Sequence, residues 1–165
     1  MANSLVDYYK TLSVDYIREN WSKGLLRDKV CVWSTLDADF IKDYWCTLNQ
    51  QQKVDIINNQ LAINEQFLRE NKDLFDKQEW RWISKWKKLS LSFIREMIDY
   101  VDINKFMFTW EHKDINFIRE YRDILDWGII SDEINCNLFW EDGSDLVCTN
   151  KFIKEFSKEL SDWLI

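Results

Sequence analysis

The heptapeptide S-L-S-F-I-R-E, Ser90–Glu96, decides the fold because close variants of it occur six times in the chain. Each copy opens with a residue type that caps helix N-termini, and an aromatic residue follows three positions later. An aliphatic, a basic and an acidic residue complete it. The pattern predicts that a short helix begins at each copy. The copies SVDYIRE, DADFIKD, NEQFLRE, SLSFIRE, DINFIRE and TNKFIKE start at Ser13, Asp37, Asn64, Ser90, Asp114 and Thr149.

The spacing of the copies predicts a repeat built from helical hairpins. Successive motif aromatics lie 24, 27, 26, 24 and 35 positions apart. A second apolar stretch follows in most units, as in Trp80–Trp86, Asp102–Trp110 and Asp126–Ser131. About 25 residues hold two helices of only about 8 to 11 residues each, which are marginal alone, so the hairpins must stack on their neighbours.

We therefore expect an all-α fold, a short α-solenoid of about five helical hairpins closed by a C-terminal capping helix at Thr149–Trp163. The longest step leaves a segment near 135–148, where Asp142-Gly143 between apolar flanks favours a β-hairpin or an irregular loop. This insertion is either a binding loop or a connector. The units of the single repeat domain, residues 1–165, lie near 12–35, 36–60, 61–88, 89–111, 112–134 and 149–165.

The composition agrees with helices and argues against several other classes. The 165 residues include 3 Gly and 0 Pro, where average usage gives about 12 and 8, so β-sandwiches, barrels and glycine-rich phosphate loops are disfavoured. The 46% hydrophobic content, with 10 Trp, supplies a core. Charges interrupt each apolar stretch before about 18 residues, and no leader pattern is visible, so we expect an intracellular protein without a membrane span.

The four cysteines and the single histidine do not predict a metal site or a disulfide framework. Cys31, Cys46, Cys136 and Cys148 form no C-x-x-C pair, and His112 has no partnered nucleophile that the sequence identifies. We expect the cysteines to be buried thiols. Because G-x-S-x-G and H-E-x-x-H are also absent, we expect neither an enzyme nor a bound cofactor or metal.

Two segments, Leu89–Glu96 and D-K-Q-E-W-R-W-I-S-K-W-K-K-L-S at Asp76–Ser90, resemble a short repeat found in many copies in proteins of giant DNA viruses and some large phages. The resemblance covers residues 12–134 with decreasing fidelity. The second unit lacks the tryptophan of the D-W-x-x-I-S half, and the first has Arg27 at that position. The resemblance implies an α-helical repeat of viral or phage origin, in the host cytoplasm, and carries over no catalytic residue.

A basic, tryptophan-containing window is the first candidate binding site. Residues 77–88 carry five cations and one acid, a local +4 in a chain of net charge −7. We expect Trp80 and Trp86 in the core, because they share a helical face with the repeat's apolar positions. Trp82 lies off that face and is expected as an exposed contact residue. The window also allows an RNA-binding interpretation through phosphate contacts and base stacking.

The expected function is that of a non-enzymatic viral or phage module that binds a host protein, such as a defence component. The base–acid pairs of the motif are expected to bridge repeats or to line a solvated face. We expect a monomer or weak dimer with no membrane or nucleic-acid partner. The alternatives are an acidic nucleic-acid mimic that blocks a nuclease or another nucleic-acid-binding enzyme, RNA binding through residues 77–88, and a virion or assembly role. The expected partner-binding residues are Trp82, Arg81, Lys85, Trp140, Glu141 and Asp142.

Overall fold

The computed structural model describes residues 5–23, 27–109, 115–135 and 152–161. Its secondary-structure elements within these ranges are all helices, so the all-α prediction is confirmed. None of the described helices is long and apolar enough to cross a membrane. Residues 136–148 of the predicted insertion, with Trp140, Glu141 and Asp142, lie outside the described residues.

Motif helices alternate with second helices along the chain. The helices are α1 (Leu5–Lys10), α2 (Val14–Asn20), α3 (Arg27–Trp33), α4 (Ala38–Tyr44), α5 (Gln50–Asn59), α6 (Glu65–Glu70), α7 (Lys77–Trp86), α8 (Leu91–Glu96), α9 (Ile103–Thr109), α10 (Ile115–Glu120), α11 (Trp127–Asn135) and α12 (Ser157–Leu160). The even-numbered helices from α2 to α10 carry the motif, and residues 152–155 are also helical. Short 3-10 helices at Trp21–Lys23, Trp45–Thr47 and Lys72–Leu74 follow α2, α4 and α6.

Side-chain caps start the motif helices as predicted. In four units the first motif residue accepts a hydrogen bond from the backbone N–H of the motif aromatic, which satisfies one of the unpaired donors at the helix start. The caps on Tyr16, Phe40, Phe67 and Phe93 are Ser13 at 3.2 Å, Asp37 at 2.6 Å, Asn64 at 3.0 Å and Ser90 at 3.2 Å. The predicted caps Asp114 and Thr149 lie outside the described residues.

The basic residue of a motif contacts the next motif along the chain. The Arg69 Nε lies 2.7 Å from the Glu96 carboxylate, and its guanidinium lies 5.0 Å from the centroid of the Phe93 ring. Both partners belong to the following unit, so the prediction that the pairs bridge repeats is confirmed here. The same base-to-next-acid pairing joins Arg18 to Asp43 at 3.9 Å and Arg119 to Glu155 at 2.5 Å.

The motif aromatic is buried except in the first repeat. Phe40, Phe93 and Phe117 have no exposed surface, whereas Tyr16 is 43% exposed. Arg18 lies over the Phe40 ring at 5.9 Å, as Arg69 does over Phe93, so the base of the preceding repeat helps to cover these two rings. A tyrosine suits the exposed position because its hydroxyl can remain in water.

The chain forms two compact units, residues 1–102 and 103–165. In the first unit, α3 packs against α1 and α5, and α5 packs against α7. In the second unit, α11 packs against α9 and α12. The division falls between the two helices of the predicted repeat at 89–111, and the single repeat domain stays a prediction.

Side chains at the ends of the second helices connect these helices to one another. Ser34, Gln60 and Lys87, which we call the carbonyl ladder, directly follow α3, α5 and α7. The Ser34 hydroxyl donates to the Tyr9 carbonyl at 2.8 Å, and the Gln60 amide donates to the Ser34 and Cys31 carbonyls at 2.9 and 3.0 Å. The Lys87 ammonium donates to the Gln60 carbonyl at 2.8 Å. The ladder therefore satisfies carbonyls left open at helix ends and holds the C-terminal ends of α3, α5 and α7 side by side.

Candidate binding surface on helix α7

Helix α7, which carries the predicted binding window, begins at a capping box. The Asp76 carboxylate accepts from the backbone N–H of Glu79 at 2.8 Å, and the Glu79 carboxylate accepts from the backbone N–H of Asp76 at 2.9 Å. These reciprocal bonds fix the first turn of the helix. The D-K-Q-E segment thus sets the register of the residues that follow.

The Glu79 carboxylate is buried and ties α7 to the neighbouring repeat. Its two oxygens accept from the Trp45 indole N–H at 3.1 Å and from the Lys53 ammonium at 2.5 Å. Charged and neutral donors thus satisfy the hydrogen-bonding capacity of this buried carboxylate. Its role is therefore to position α7 against α5. Sequence analysis missed this contact because its partners lie 26 and 34 residues away.

Two tryptophans of the window differ from their expected placement: Trp86 is exposed, and Trp82 is less exposed than expected. Trp80 is 2% exposed, as expected, but Trp86 is 45% exposed and Trp82 is only half-buried. The core placement of Trp86 was therefore wrong. In an α-helix, a step of three residues falls about 60° short of a full turn. Trp86 lies two such steps after Trp80, so it points about 120° away from Trp80 around the helix. Lys87, seven residues after Trp80, lies within about 20° of it and takes the inward position instead.

The predicted cations of the window have partners within the protein. The Arg81 guanidinium pairs with Asp102 at 3.2 Å and stays partly exposed. The Lys85 ammonium lies 4.6 Å from the centroid of the Trp86 ring. This is a cation–π contact at the surface, where Trp86 is 45% exposed.

Trp86 belongs to a row of equivalent positions on three packed helices. Trp33, Asn59 and Trp86 are the last residues of α3, α5 and α7, and we call them the aromatic row. Trp33 is 38% exposed, and Asn59 is also exposed. Because the carbonyl ladder aligns the ends of these helices, Trp33 and Trp86 lie at the aligned ends of α3 and α7.

An open groove of about 540 Å³ lies beside the last step of the carbonyl ladder. Leu61 forms one side and is 90% exposed, and the nearly buried Ile63 and Leu89 contribute apolar surface. Lys87 and Lys88 line the same groove. Burial lowers the pKa of the Lys87 ammonium to about 8, because removing water penalises its charged form.

Of the sequence-predicted site residues, the structure brings Arg81, Trp82 and Lys85 together on α7. It adds residues that sequence analysis missed, namely Trp33, Trp86, Leu61 and Lys87. The aromatic row and the carbonyl ladder become visible when the sequences of the second helices are aligned by their last residues and not by their tryptophans. This alignment was hidden because the second helices of the first two units depart from the repeat.

The cysteine and metal predictions have mixed outcomes. Cys31 is buried, which raises its pKa to about 12, whereas Cys46 is exposed. The prediction of a buried thiol was therefore wrong for Cys46, which lies in a short 3-10 helix whose buried side is occupied by Trp45. Cys136 and Cys148 lie outside the described residues. Within the described ranges, no cluster of three His, Cys, Asp or Glu residues could hold a metal ion.

The chain shows no significant match to a protein-family model, to a curated protein or to a solved structure. Its function must therefore be argued from the geometry of the α7 surface.

Proposed function

We propose that the chain is a non-enzymatic protein-binding module of a virus or phage that acts on a host protein, such as a defence component. The aromatic row carries this proposal, because it places two partly exposed tryptophans at the ends of helices that are joined by the carbonyl ladder. Tryptophan is the residue type most enriched among binding hot spots. Arg81, Trp82 and Lys85 flank the row on α7, and Trp140, Glu141 and Asp142 of the insertion belong to the same proposal.

The spacing of the row suits a protein partner. Packed helices lie about 8–10 Å apart, so Trp33 and Trp86, with α5 between them, are separated by roughly 16–20 Å. Two anchors at this distance fit the interface area of a protein better than that of a small ligand. Since both indoles project from helix ends fixed by the carbonyl ladder, little freedom is lost when they bind.

The proposed architecture is an α-solenoid whose hairpins stack in chain order. The successive packing of α1, α3, α5 and α7 supports it within the first unit. A solenoid displays equivalent positions of its repeats along one surface, and this class of proteins uses such surfaces for recognition.

The acidic-mimic alternative is less well supported. Acids such as Asp43, Glu96 and Glu155 pair with arginines of neighbouring repeats and do not form an uninterrupted line of negative charge. The RNA-binding alternative retains one supporting observation, the Lys85 and Trp86 pair beside further cations on α7. An assay that includes RNA therefore belongs in the test.

The test uses peptide selection and requires no knowledge of the host. Randomised 12-residue peptides displayed on phage are selected on the immobilised full chain. They are then measured against a variant carrying both Trp33→Ala and Trp86→Ala. Loss of two hot-spot side chains should weaken the selected binders about 30-fold or more, equivalent to about 2 kcal/mol.

The control variant is Leu5→Ala, which changes a side chain that is 66% exposed on α1. It should leave binding within about two-fold. Binders that tolerate the double tryptophan variant would refute the aromatic row as the interface. Tight binding of a uridine 20-mer that is lost in the same variant would favour the RNA alternative.

A further inference from the structure

We infer that the groove between Leu61 and Leu89 binds an acidic peptide segment that carries large aliphatic side chains. In this arrangement, aliphatic side chains of the segment pack on the two leucines, and its carboxylates pair with Lys87 and Lys88. The inference deepens the proposed function, because it names the chemistry of the protein partner.

The apolar part of the groove explains the aliphatic requirement. Leu61 is 90% exposed at the tip of the turn between α5 and α6, whereas Ile63 and Leu89 are 2% and 8% exposed. The groove thus combines one projecting leucine with an apolar wall that is already in place. A leucine-sized side chain placed there would remove apolar surface of both molecules from water, which favours binding.

The charges of the groove explain the acidic requirement. Lys87 and Lys88 line it just beyond the end of α7. The acidic residue of the groove, Glu65, is already engaged, because its carboxylate accepts from the backbone N–H of Ser90 at 2.6 Å and lies 3.5 Å from the Arg69 guanidinium. The lining of the groove therefore has two cations against one carboxylate, an excess of positive charge on a chain of net charge −7, and it attracts carboxylates.

Lys87 is held in place for such a contact. One of its three donors is given to the Gln60 carbonyl at 2.8 Å, which fixes the ammonium at the groove wall. Its pKa of about 8 reflects incomplete hydration of the charge. A carboxylate of the bound segment would replace part of the missing water and form a charge-assisted hydrogen bond.

The lining favours a peptide over a nucleic acid. Sequence-tolerant nucleic-acid sites combine cations with aromatic faces on which bases stack. The residues that line this groove are aliphatic, amide-bearing or charged, so bases would find no stacking face among them. An acidic peptide uses both the cations and the leucines.

The experiment measures fluorescence anisotropy of three labelled peptides on the full chain. The probes are D-E-L-D-E-L-D-E, its serine counterpart D-E-S-D-E-S-D-E and its neutral counterpart N-Q-L-N-Q-L-N-Q. We expect the first peptide to bind at least ten-fold more tightly than either of the others. Comparable binding of the neutral leucine peptide, or no binding of the acidic leucine peptide, would overturn the inference.

The variant Lys87→Gln with Lys88→Gln should weaken the acidic leucine peptide at least ten-fold. Glutamine at position 87 retains a donor for the Gln60 carbonyl. If circular dichroism shows that the double variant is unfolded, the single exposed change Lys88→Gln replaces it in the test. This single change is expected to weaken peptide binding partially. The matched control is Lys42→Gln, an exposed lysine of α4, which should change binding less than two-fold. Equal binding by wild type and both groove variants would overturn the inference.

The result separates this inference from the proposed function. If selected peptides require Trp33 and Trp86 but the acidic leucine peptide does not require Lys87 or Lys88, the groove inference fails and the binding module stands. If the acidic peptide requires the lysines while selected binders ignore the tryptophans, the groove is supported and the aromatic row fails. Displacement of the acidic peptide by a tighter uridine 20-mer would overturn the groove inference in favour of nucleic acid.

Discussion

Replacing Gln60 by methionine tests whether the carbonyl ladder determines the stability of the first unit. The Gln60 side chain is 3% exposed, donates to the Cys31 and Ser34 carbonyls and accepts from the backbone N–H of Leu36 at 2.9 Å. Methionine has a similar size but cannot form these three bonds. Each bond contributes about 1 kcal/mol, and the buried Leu36 N–H left without an acceptor costs more, so we expect a loss of about 3–5 kcal/mol.

This loss of stability is a large fraction of a total unfolding free energy of about 5–15 kcal/mol. With a urea slope of about 2 kcal/mol per M, the unfolding midpoint should fall by about 1.5–2.5 M. Helical circular dichroism and tryptophan fluorescence should report coincident transitions for this calculation to hold.

The matched control is Gln51→Met in helix α5, which Gln60 directly follows. Gln51 is exposed and donates to Asp55 at 3.0 Å, so its replacement should change stability by less than about 0.5 kcal/mol. A loss below about 1 kcal/mol for the Gln60 variant would refute the assignment of the ladder as a stabilising feature.

Two further predictions follow from burial. Phe93→Ala should destabilise the chain by about 3–5 kcal/mol in urea unfolding, whereas Tyr16→Ala at the exposed equivalent position should cost less than about 1 kcal/mol, and equal losses would contradict the assigned core. The pKa of Lys87 is about 8 in the native state, whereas a lysine in the unfolded chain has the ordinary value of 10.5. Between these pH values the unfolded chain therefore holds a proton that the native amine has released. Wild-type stability should therefore rise with pH relative to Lys87→Met by up to about 2 kcal/mol, after allowance for solvent screening, and a constant difference between pH 7 and 10 would contradict this.

The starts of the motif helices could be predicted from the sequence because capping is local. A capping side chain and the backbone N–H that donates to it lie three residues apart, so Ser90 and Phe93 carry the whole signal within one heptapeptide. Burial of the aromatic and aliphatic pair follows from the same short pattern. The recurrence of the base and acid also indicated contacts between repeats, and the Arg69–Glu96 pair confirms that interpretation.

The ends of the second helices could not be predicted in the same way. Ser34, Gln60 and Lys87 perform one task, donation to a carbonyl of the preceding helix, with three chemically different side chains. A search for similar residues at repeat spacing does not detect such a set. The error at Trp86 has a related cause, since its surface position depends on where α7 ends, and tryptophan spacing alone does not determine that.

The repeat divides its positions between building the stack and presenting a surface. The motif aromatic, base and acid of several repeats are used in contacts with the next repeat, and the residues that follow α3, α5 and α7 are used in the carbonyl ladder. The last residues of α3, α5 and α7, which are Trp33, Asn59 and Trp86, belong to neither set. A tryptophan left partly exposed where an asparagine is equally compatible with the fold is not required for packing. Its large apolar surface in water is better explained by a partner that covers it, which is why we locate recognition at these helix ends.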